Sequence, residues 1–508
     1  MKTLPALLLA LTTVAVFAEE DVILTPPPLR IPRINGPHMY GIRPGNPFLY
    51  RIPCTGERPI KFGAKNLPTS LSLDPSSGLI TGRNPERGEY LVTLTAENAA
   101  GRAERIFKII SGDALALTPP MGWNSWYIHY NRVTDKVMRD AADAMIASGM
   151  ADAGYQYINV DDCWMNAPET SKFQTDPNRV GPLRDAAGNI QPNIYFPDMP
   201  ALTGYIHSKG LKAGIYTSPG PSTCAGFCGS YQHEAQDAKQ FADWGFDFLK
   251  YDWCTYRRIV EKTPDIAAMK KPYQLMGDLL KKQRRDIAFN LCQYGMGDVW
   301  KWGGEVGHCW RTTGDLGLEL GSGLPGFYNI GLNNAKHWKH ARPGAWNDPD
   351  YILIGWVGDA HGMSEGKLTN LTPNEQYSYM SMWSLMAAPL IFGGDMTKLD
   401  AFALNILCNS EVIEVDQDPL GKQAHIVRQT GSEFILIKDL EDGSKAVGLF
   451  NLSAGSIKLF VTRSDLGLAG KQRARDLWRQ KDLGVFENEF STTVPRHGVA
   501  LIRLTATK

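Results

Sequence analysis

The chain has 508 residues, of which 43% are hydrophobic and 21% charged, a globular composition that is too long for one ordinary core. Lysine plus arginine equals aspartate plus glutamate at 53 each, so no excess charge favours binding to nucleic acid or to an anionic membrane. We therefore expect two to four domains and no nucleic-acid partner.

The first 18 residues, MKTLPALLLALTTVAVFA, have one lysine, then an apolar run that ends in Val-Phe-Ala before Glu19 and Glu20. This pattern predicts a secretory signal peptide cleaved near Ala18, and export to the periplasm or the medium. The run is too short for a comfortable membrane span, and no later stretch of about twenty apolar residues follows. We therefore expect no stable membrane anchor.

Eight cysteines in an exported chain can form disulfides, but their spacing is too sparse for a disulfide scaffold. The pair Cys224 and Cys228 has no histidine partner at ligand spacing. We therefore predict neither a metal nor another cofactor.

Residues 19–112 begin with the proline-rich stretch TPPPLRIPRINGP and continue as short segments in which apolar and polar residues alternate between turn residues. This pattern predicts an Ig-like β-sandwich. The stretch LPTSLSLDPSSGLITGRNPERGEYLVTLTAENAAG resembles the Ig-like modules often appended to secreted bacterial enzymes. We favour a spacer role for it over binding of a polysaccharide or tethering.

Residues 113–411 alternate short apolar runs with longer amphipathic segments such as VTDKVMRDAADAMIASGMADAG and EQYSYMSMWSLMAA. Eight strand–helix units in about three hundred residues predict a (β/α)8 TIM barrel. Residues 412–508 again contain short runs of alternating apolar and polar residues that are typical of β-strands, which predicts a C-terminal antiparallel β-sandwich. The eight runs are 120–126, 155–164, 211–220, 246–254, 287–295, 307–315, 344–350 and 389–395.

Most predicted barrel strands end in carboxylate or aromatic side chains. The active site of a TIM barrel collects at these carboxyl ends, and a purely structural barrel does not need so many such groups there. Without a phosphate loop or a nicotinamide fingerprint, carboxylates and indoles indicate glycoside chemistry, since one acid protonates the leaving oxygen and a second carboxylate attacks or activates water. The residues are Trp123, Trp126, Asp161, Asp162, Trp164, Tyr216, Lys250, Asp252, Cys292, Gln293, Tyr294, Trp310, Arg311, Asp315, Trp346, Asp348, Asp350 and Asp395.

Several motifs occur together and in order: MGWNSW, INVDDCW, AGIYTSPGPSTCAGFCGSY, FADWGFDFLKYDWC, CWRTTGD and WNDPDYILIG. Together they resemble glycoside hydrolase family 27, the α-galactosidases and α-N-acetylgalactosaminidases. The resemblance spans about 119–410, continues into the C-terminal β-domain and leaves the Ig-like module outside. It implies a secreted retaining α-galactosidase that acts on terminal α-D-galactosyl residues of galacto-oligosaccharides or galactomannan.

The resemblance implies that Asp252 is the nucleophile and Asp315 the acid/base. A retaining mechanism predicts that their carboxyl groups lie about 5–5.5 Å apart. Lys250 is expected to neutralise Asp252 and keep it ionised. The residues implied to bind the sugar are Trp126, Asp161, Asp162, Tyr216, Lys250, Gln293, Tyr294, Arg311, Asp348 and Asp350.

The resemblance also implies a disulfide between Cys224 and Cys254, with two buried thiols as the alternative, and suggests pairing into a homodimer, which nothing in the sequence fixes. After Cys292, many family members have Glu-Trp where this chain has Gln293-Tyr294. Gln293 weakens a charged contact, whereas the Tyr294 ring can still stack on the sugar.

Other functions stay open. The alternatives within the family are β-L-arabinopyranosidase, α-N-acetylgalactosaminidase and isomaltodextranase activity. The short Asp161 side chain leaves room for a 6-hydroxymethyl group and favours galactose over arabinopyranose. A non-catalytic carbohydrate-binding protein is the alternative outside enzymes, and the presence of both Asp252 and Asp315 argues against it.

Overall fold

The computed structural model describes residues 23–170, 176–316, 324–358 and 365–507. The predicted signal peptide, 1–18, lies outside these described residues. Within them, no helix combines the length and the apolar character needed to cross a bilayer.

The N-terminal module is an Ig-like arrangement of nine strands. A four-stranded sheet has the order β2-β9-β8-β5, a three-stranded sheet the order β3-β7-β6, and β1 pairs with β4. Alternate residues of the long hairpin β8–β9 point inward, and these include Val92, Leu94 and Phe107. The strands are β1 (Arg33–Ile34), β2 (Met39–Ile42), β3 (Pro47–Arg51), β4 (Cys54–Thr55), β5 (Lys61–Lys65), β6 (Leu71–Leu73), β7 (Leu79–Arg83), β8 (Gly88–Asn98) and β9 (Gly101–Ser111).

The central region is the predicted barrel of eight parallel strands, in the order β16-β15-β14-β13-β12-β11-β10-β19. A parallel bridge between Ile352 and Phe392 joins the segment after β16 to the last strand and closes the ring. The strands are β10 (Met121–Asn124), β11 (Tyr157–Asn159), β12 (Lys212–Thr217), β13 (Phe248–Asp252), β14 (Ala288–Cys292), β15 (Cys309–Arg311), β16 (Trp346–Asp348) and β19 (Leu390–Phe392), with a small hairpin of β17 (Trp356–Val357) and β18 (Lys367–Leu368) before the last of them.

Helices connect the barrel strands, and several begin at side-chain caps. Thr134 accepts a hydrogen bond from Val137 N at the start of α2, and Asp198 accepts one from Ala201 N at the start of α4. The helices up to the C-terminal domain are α1 (Trp126–His129), α2 (Asp135–Ala147), α3 (Met150–Ala153), α4 (Met199–Ser208), α5 (Glu234–Asp243), α6 (Ile266–Lys281), α7 (Gly303–Val306), α8 (Gly326–Asn334), α9 (Pro373–Leu385), α10 (Ala401–Leu407) and α11 (Ser410–Asp416).

Helix α9 differs from its sequence prediction. The segment EQYSYMSMWSLMAA was expected to be amphipathic, but every residue from Glu375 to Leu385 is buried. The reason is that α9 lies between the barrel and the C-terminal domain, where Ser378 Oγ donates to His497 O and Trp478 Nε1 donates to Ser381 Oγ. Polar side chains on a helix with no solvent-facing side need hydrogen-bond partners, and Ser378 and Ser381 find theirs in the C-terminal domain.

The C-terminal domain is antiparallel. A six-stranded sheet has the order β20-β21-β22-β27-β24-β25, and a second layer is formed by β23 and β26. One short helix, α12 (Arg463–Leu466), follows β23. The strands are β20 (His425–Gln429), β21 (Glu433–Asp439), β22 (Lys445–Asn451), β23 (Ile457–Thr462), β24 (Gln472–Asp476), β25 (Lys481–Phe486), β26 (Glu489–Val494) and β27 (Val499–Ala506).

Candidate active site

The carboxyl ends of the barrel strands surround a pocket, which we name the mouth. Its empty volume, open solvent included, is about 380 Å³. Ten of its eleven lining residues were singled out from the sequence, and they come from most of the predicted strand ends. The lining residues are Trp126, Tyr127, Asp161, Tyr216, Cys224, Lys250, Asp252, Tyr294, Arg311, Asp315 and Asp350.

Asp252 is the last residue of β13 and is only 5% exposed. Its carboxylate accepts hydrogen bonds from two tyrosine hydroxyls: Tyr294 OH lies 2.5 Å from Oδ1, and Tyr216 OH lies 3.2 Å from Oδ2. Burial raises the pKa of Asp252 to about 6, although the Lys250 charge and the Tyr294 hydrogen bond lower it. Among the described residues, Asp252 forms no ion pair.

Lys250 does not pair with Asp252 as the sequence argument expected. Its Nζ donates to Asp161 Oδ2 at 2.9 Å, and it lies 5.2 Å from the ring centres of both Tyr216 and Tyr351. Residues 250 and 252 point to the same face of β13, but Asp161, two residues after the end of β11, offers the closer carboxylate. The lysine charge therefore reaches Asp252 only as a longer-range field.

Asp315 follows β15, which one strand, β14, separates from β13, and its side chain is 52% exposed. Arg311, two per cent exposed, donates to Asp315 Oδ1 at 3.2 Å and also pairs with Asp350 at 2.9 Å. Asp350 Oδ2 accepts further hydrogen bonds from Tyr127 OH and Leu316 N, each at 2.8 Å. Arg311 thus ties the accessible acid to a buried, fully bonded carboxylate.

The predicted disulfide is present between Cys224 and Cys254. It joins the loop after β12 to the residue two positions beyond Asp252, so it fixes the chain beside the buried carboxylate. The other six cysteines are thiols. The sulfurs of Cys224 and Cys254 lie near Asp252, but a disulfide sulfur is not a thiolate ligand, so this group does not form a metal site.

Three residues predicted to contact the sugar are buried near the mouth without lining it. Asp162 accepts from Ala225 N and Cys163 N, and burial raises its pKa to about 7. Asp348 accepts from Asn290 Nδ2 at 2.7 Å, and Gln293 Nε2 donates to Met296 O at 2.8 Å. In this structure these three side chains support the loops, and their contact with substrate stays a prediction.

Sequence reasoning missed Tyr127, which lines the mouth and whose hydroxyl donates to Asp350. It directly follows Trp126, which was identified, and lies on the short helix α1 after β10. The available signal was the aromatic pair Trp-Tyr beyond the strand end, of which only the first member was used.

A second cavity, of about 550 Å³, lies at the other end of the barrel, between the strand starts and the Ig-like module. Its lining includes Tyr40, Lys212, Asp247 and Asp286. Asp247 and Asp286 are both ion-paired with arginines. Barrel enzymes work at the carboxyl ends of the strands, so the smaller pocket at the mouth is the candidate active site.

Three family models match different parts of the chain. The family model described as Alpha galactosidase A matches residues 118–418, the model of the alpha galactosidase C-terminal beta sandwich domain matches 431–504, and an Ig domain model matches 35–111. An alpha-galactosidase of Cyamopsis tetragonoloba is 36% identical over 425 residues, which are 83% of this chain and 94% of that protein.

Two solved structures extend the likeness. A candidate alpha-galactosidase/melibiase from Bacteroides fragilis has a TM-score of 0.84 and 36% identity, and the match covers 94% of this chain and 98% of that one. Alpha-galactosidase I from Mortierella vinacea has a TM-score of 0.68 and 30% identity, with 78% and 99% covered. A barrel with paired carboxylates and aromatic rings at its mouth defines a glycoside hydrolase. The chain belongs to the alpha galactosidase A family, which is part of glycoside hydrolase family 27.

Proposed function

We propose that the protein is a retaining α-galactosidase that releases terminal non-reducing α-D-galactosyl residues from galacto-oligosaccharides or galactomannan. The observation that carries the proposal is the pair of unlike carboxylates at one pocket. Asp252 is buried and accepts hydrogen bonds from two tyrosine hydroxyls, whereas Asp315 is half exposed and held by Arg311. The alpha-galactosidase names of the relatives support the choice of sugar.

In the first step, an oxygen of ionised Asp252 attacks the anomeric carbon while the bond to the leaving oxygen breaks. Asp315 gives its proton to that oxygen, so the leaving group departs as a neutral alcohol. In the second step, Asp315 takes a proton from water as the water attacks the anomeric carbon. The bond to Asp252 breaks in the same step, so that the Asp252 carboxylate and the protonated Asp315 are restored and the configuration is retained.

The rest of the mouth suits a neutral sugar. Asp161 and Lys250 form a compact charged pair that can accept from and donate to sugar hydroxyls. Trp126 supplies an indole face that can pack against the apolar side of the ring. The small Asp161 side chain leaves space for a 6-hydroxymethyl group, which galactose has and arabinopyranose lacks.

Side-by-side hydrolysis of three nitrophenyl glycosides tests the sugar: the α-galactoside, the β-L-arabinopyranoside and the α-N-acetylgalactosaminide. We expect the highest kcat/KM on the α-galactoside. The proton NMR spectrum of the first-formed product tests the mechanism, since retention releases the α-anomer. An inverted product, or faster turnover of either competing glycoside, would refute the corresponding part of the proposal.

We also propose that the protein is exported. The apolar segment before Ala18 supports export, and the Cys224–Cys254 disulfide suits an oxidising compartment. The test is expression of the full chain in a bacterial host, followed by fractionation and N-terminal sequencing. A mature N-terminus close to Glu19 is expected in the periplasm or medium, and an intact Met1 in the cytoplasm would contradict the proposal.

A further inference from the structure

Tyr294 takes a position at the mouth that its predicted stacking role does not explain. Its hydroxyl donates to Asp252 Oδ1 at 2.5 Å, a shorter hydrogen bond than the 3.2 Å bond from Tyr216 to Oδ2. Hydrogen bonds between a hydroxyl and a carboxylate at this distance are among the strong ones in proteins. The two tyrosines thus hold both oxygens of the same buried carboxylate.

The backbone around Tyr294 is built to hold that hydroxyl in place. Tyr294 has a φ of +63° and is followed by Gly295 at +83°, so two successive residues lie in the left-handed region. A Cβ on Gly295 would lie 2.2 Å from Thr312 O, so only glycine allows this loop to pack so closely on the end of β15. Such strain at a pocket is typical of functional positions.

Asp252 needs this donor because the cations of the mouth are engaged elsewhere. Lys250 pairs with Asp161, and Arg311 pairs with Asp350 and Asp315. A carboxylate buried without an ion pair tends to take up a proton, which would abolish its nucleophilicity. A hydrogen bond donated to the charged form opposes that protonation.

We propose that Tyr294 is a positioning residue whose hydroxyl keeps Asp252 ionised and fixes its orientation for attack. This inference rests on the proposed function of Asp252 as the nucleophile. No proton is transferred: the hydroxyl donates to the carboxylate in the free enzyme and again as the bond between Asp252 and the sugar breaks. The phenol therefore does what a cation beside the nucleophile would otherwise do.

The test is the pH profile of kcat/KM for the wild type, Tyr294→Phe and Tyr127→Phe, measured on whichever nitrophenyl glycoside the wild type hydrolyses. On the acid side of the profile, kcat/KM falls as Asp252 becomes protonated, so the midpoint of this acid limb lies at the pKa of Asp252. A hydrogen-bond donor that lowers this pKa therefore moves the acid limb to lower pH. We expect Tyr294→Phe to move the acid limb upward by about one pH unit. Tyr127→Phe is the matched control, because its hydroxyl donates to Asp350 instead.

Tyr216→Phe gives a graded second variant, and we expect a smaller upward shift because its hydrogen bond is longer. If Tyr294 served only to stack on the sugar, Tyr294→Phe would keep the ring and leave the acid limb in place. An acid limb of Tyr294→Phe at the wild-type position, or an equal shift in Tyr127→Phe, would overturn the inference. If the wild type prefers another glycoside, the proposed sugar is wrong. The shift of the acid limb, measured on that glycoside, still tests the role of Tyr294. A wild type inert on all three glycosides would overturn both.

Discussion

The two ends of the barrel hold the same kind of residue in opposite states. At the closed end, where the strands begin, Asp286 accepts hydrogen bonds from Arg43 N and Nε, Asn46 Nδ2 and Asn84 Nδ2 of the Ig-like module. At the mouth, Asp252 accepts from two hydroxyls and from no cation among the described residues. The Ig-like module thus docks on a carboxylate, Asp286, that is fully hydrogen-bonded, whereas the substrate would meet one, Asp252, that is not.

The pKa values follow the same contrast. Asp247, at the closed end, is as buried as Asp252, and burial raises its pKa, but Arg285 and His207 outweigh burial and bring the pKa well below its ordinary value. For Asp252, burial outweighs the opposing effects of the Lys250 charge and the Tyr294 hydrogen bond and raises the pKa to about 6. A carboxylate that must become covalently bonded cannot be paired as completely as one that only stabilises the barrel.

An aspartate-to-asparagine substitution at each end of the barrel should distinguish a catalytic carboxylate from a structural one most clearly. Asp252→Asn removes the nucleophile and should lower kcat on nitrophenyl α-galactoside by roughly four orders of magnitude or more. Asp286→Asn should keep the wild-type kcat, because it lies at the other end of the barrel. Both are measured on folded protein, with circular dichroism as the check. Comparable kcat values for Asp252→Asn and wild type would end the nucleophile assignment.

The acid/base role of Asp315 predicts a dependence on the leaving group. Asp315→Ala should lower kcat/KM roughly 10²–10⁴-fold on an oligosaccharide, whose leaving alcohol needs a proton. On nitrophenyl α-galactoside the loss in kcat/KM should be much smaller, since nitrophenolate leaves without protonation. Steady-state kinetics on both substrates checks this. An equal loss on the two would place Asp315 outside the proton transfer.

At the closed end, the expected effect is on stability. Asp286→Ala leaves the guanidinium of Arg43 without its carboxylate in a contact where both side chains are only 14% exposed. Breaking a buried pair in this way should lower the free energy of unfolding by about 2 to 4 kcal/mol. Urea denaturation followed by tryptophan fluorescence measures the change. Asp113→Ala, in an exposed pair with Arg87, is the control and should change the free energy of unfolding far less, because water and salt screen an exposed ion pair.

The sequence predicted the barrel and nearly all lining residues of the mouth, because strand ends and the order of motifs can be recognised from short stretches of sequence. It did not predict which charges pair. Lys250 lies two residues from Asp252 in sequence, yet Asp161 from another strand end takes its ammonium. The polar faces of α9 were likewise unpredictable, since their partners lie in the C-terminal domain. Long-range neighbours decide both cases.

The smallest expected effect is a pH dependence of stability that differs in sign between the two ends. An unfolded aspartate releases its proton near pH 4, whereas folded Asp252 holds it until about pH 6. Between these values the folded state binds more protons than the unfolded state, so wild-type stability falls as the pH rises. Asp252→Asn has no carboxyl group to ionise at this position. Its free energy of unfolding, relative to that of the wild type, should therefore rise by up to about 3 kcal/mol between pH 4 and pH 7.

Asp247→Asn is the matched variant, because the folded pKa of Asp247 is lowered and not raised. Its carboxylate stabilises the folded wild type above the unfolded pKa, and this contribution is lost as the pH falls through the folded pKa. The stability deficit of Asp247→Asn should therefore be full at pH 6 and shrink below about pH 4. Urea titrations of the three proteins at pH 3.5, 5 and 7, conditions chosen to bracket the roughly pH 4 to 6 window, measure both trends. If the free energy of unfolding of Asp252→Asn and of the wild type changed with pH in parallel, folding would not raise the pKa of Asp252. The contrast between the two ends of the barrel would then be wrong.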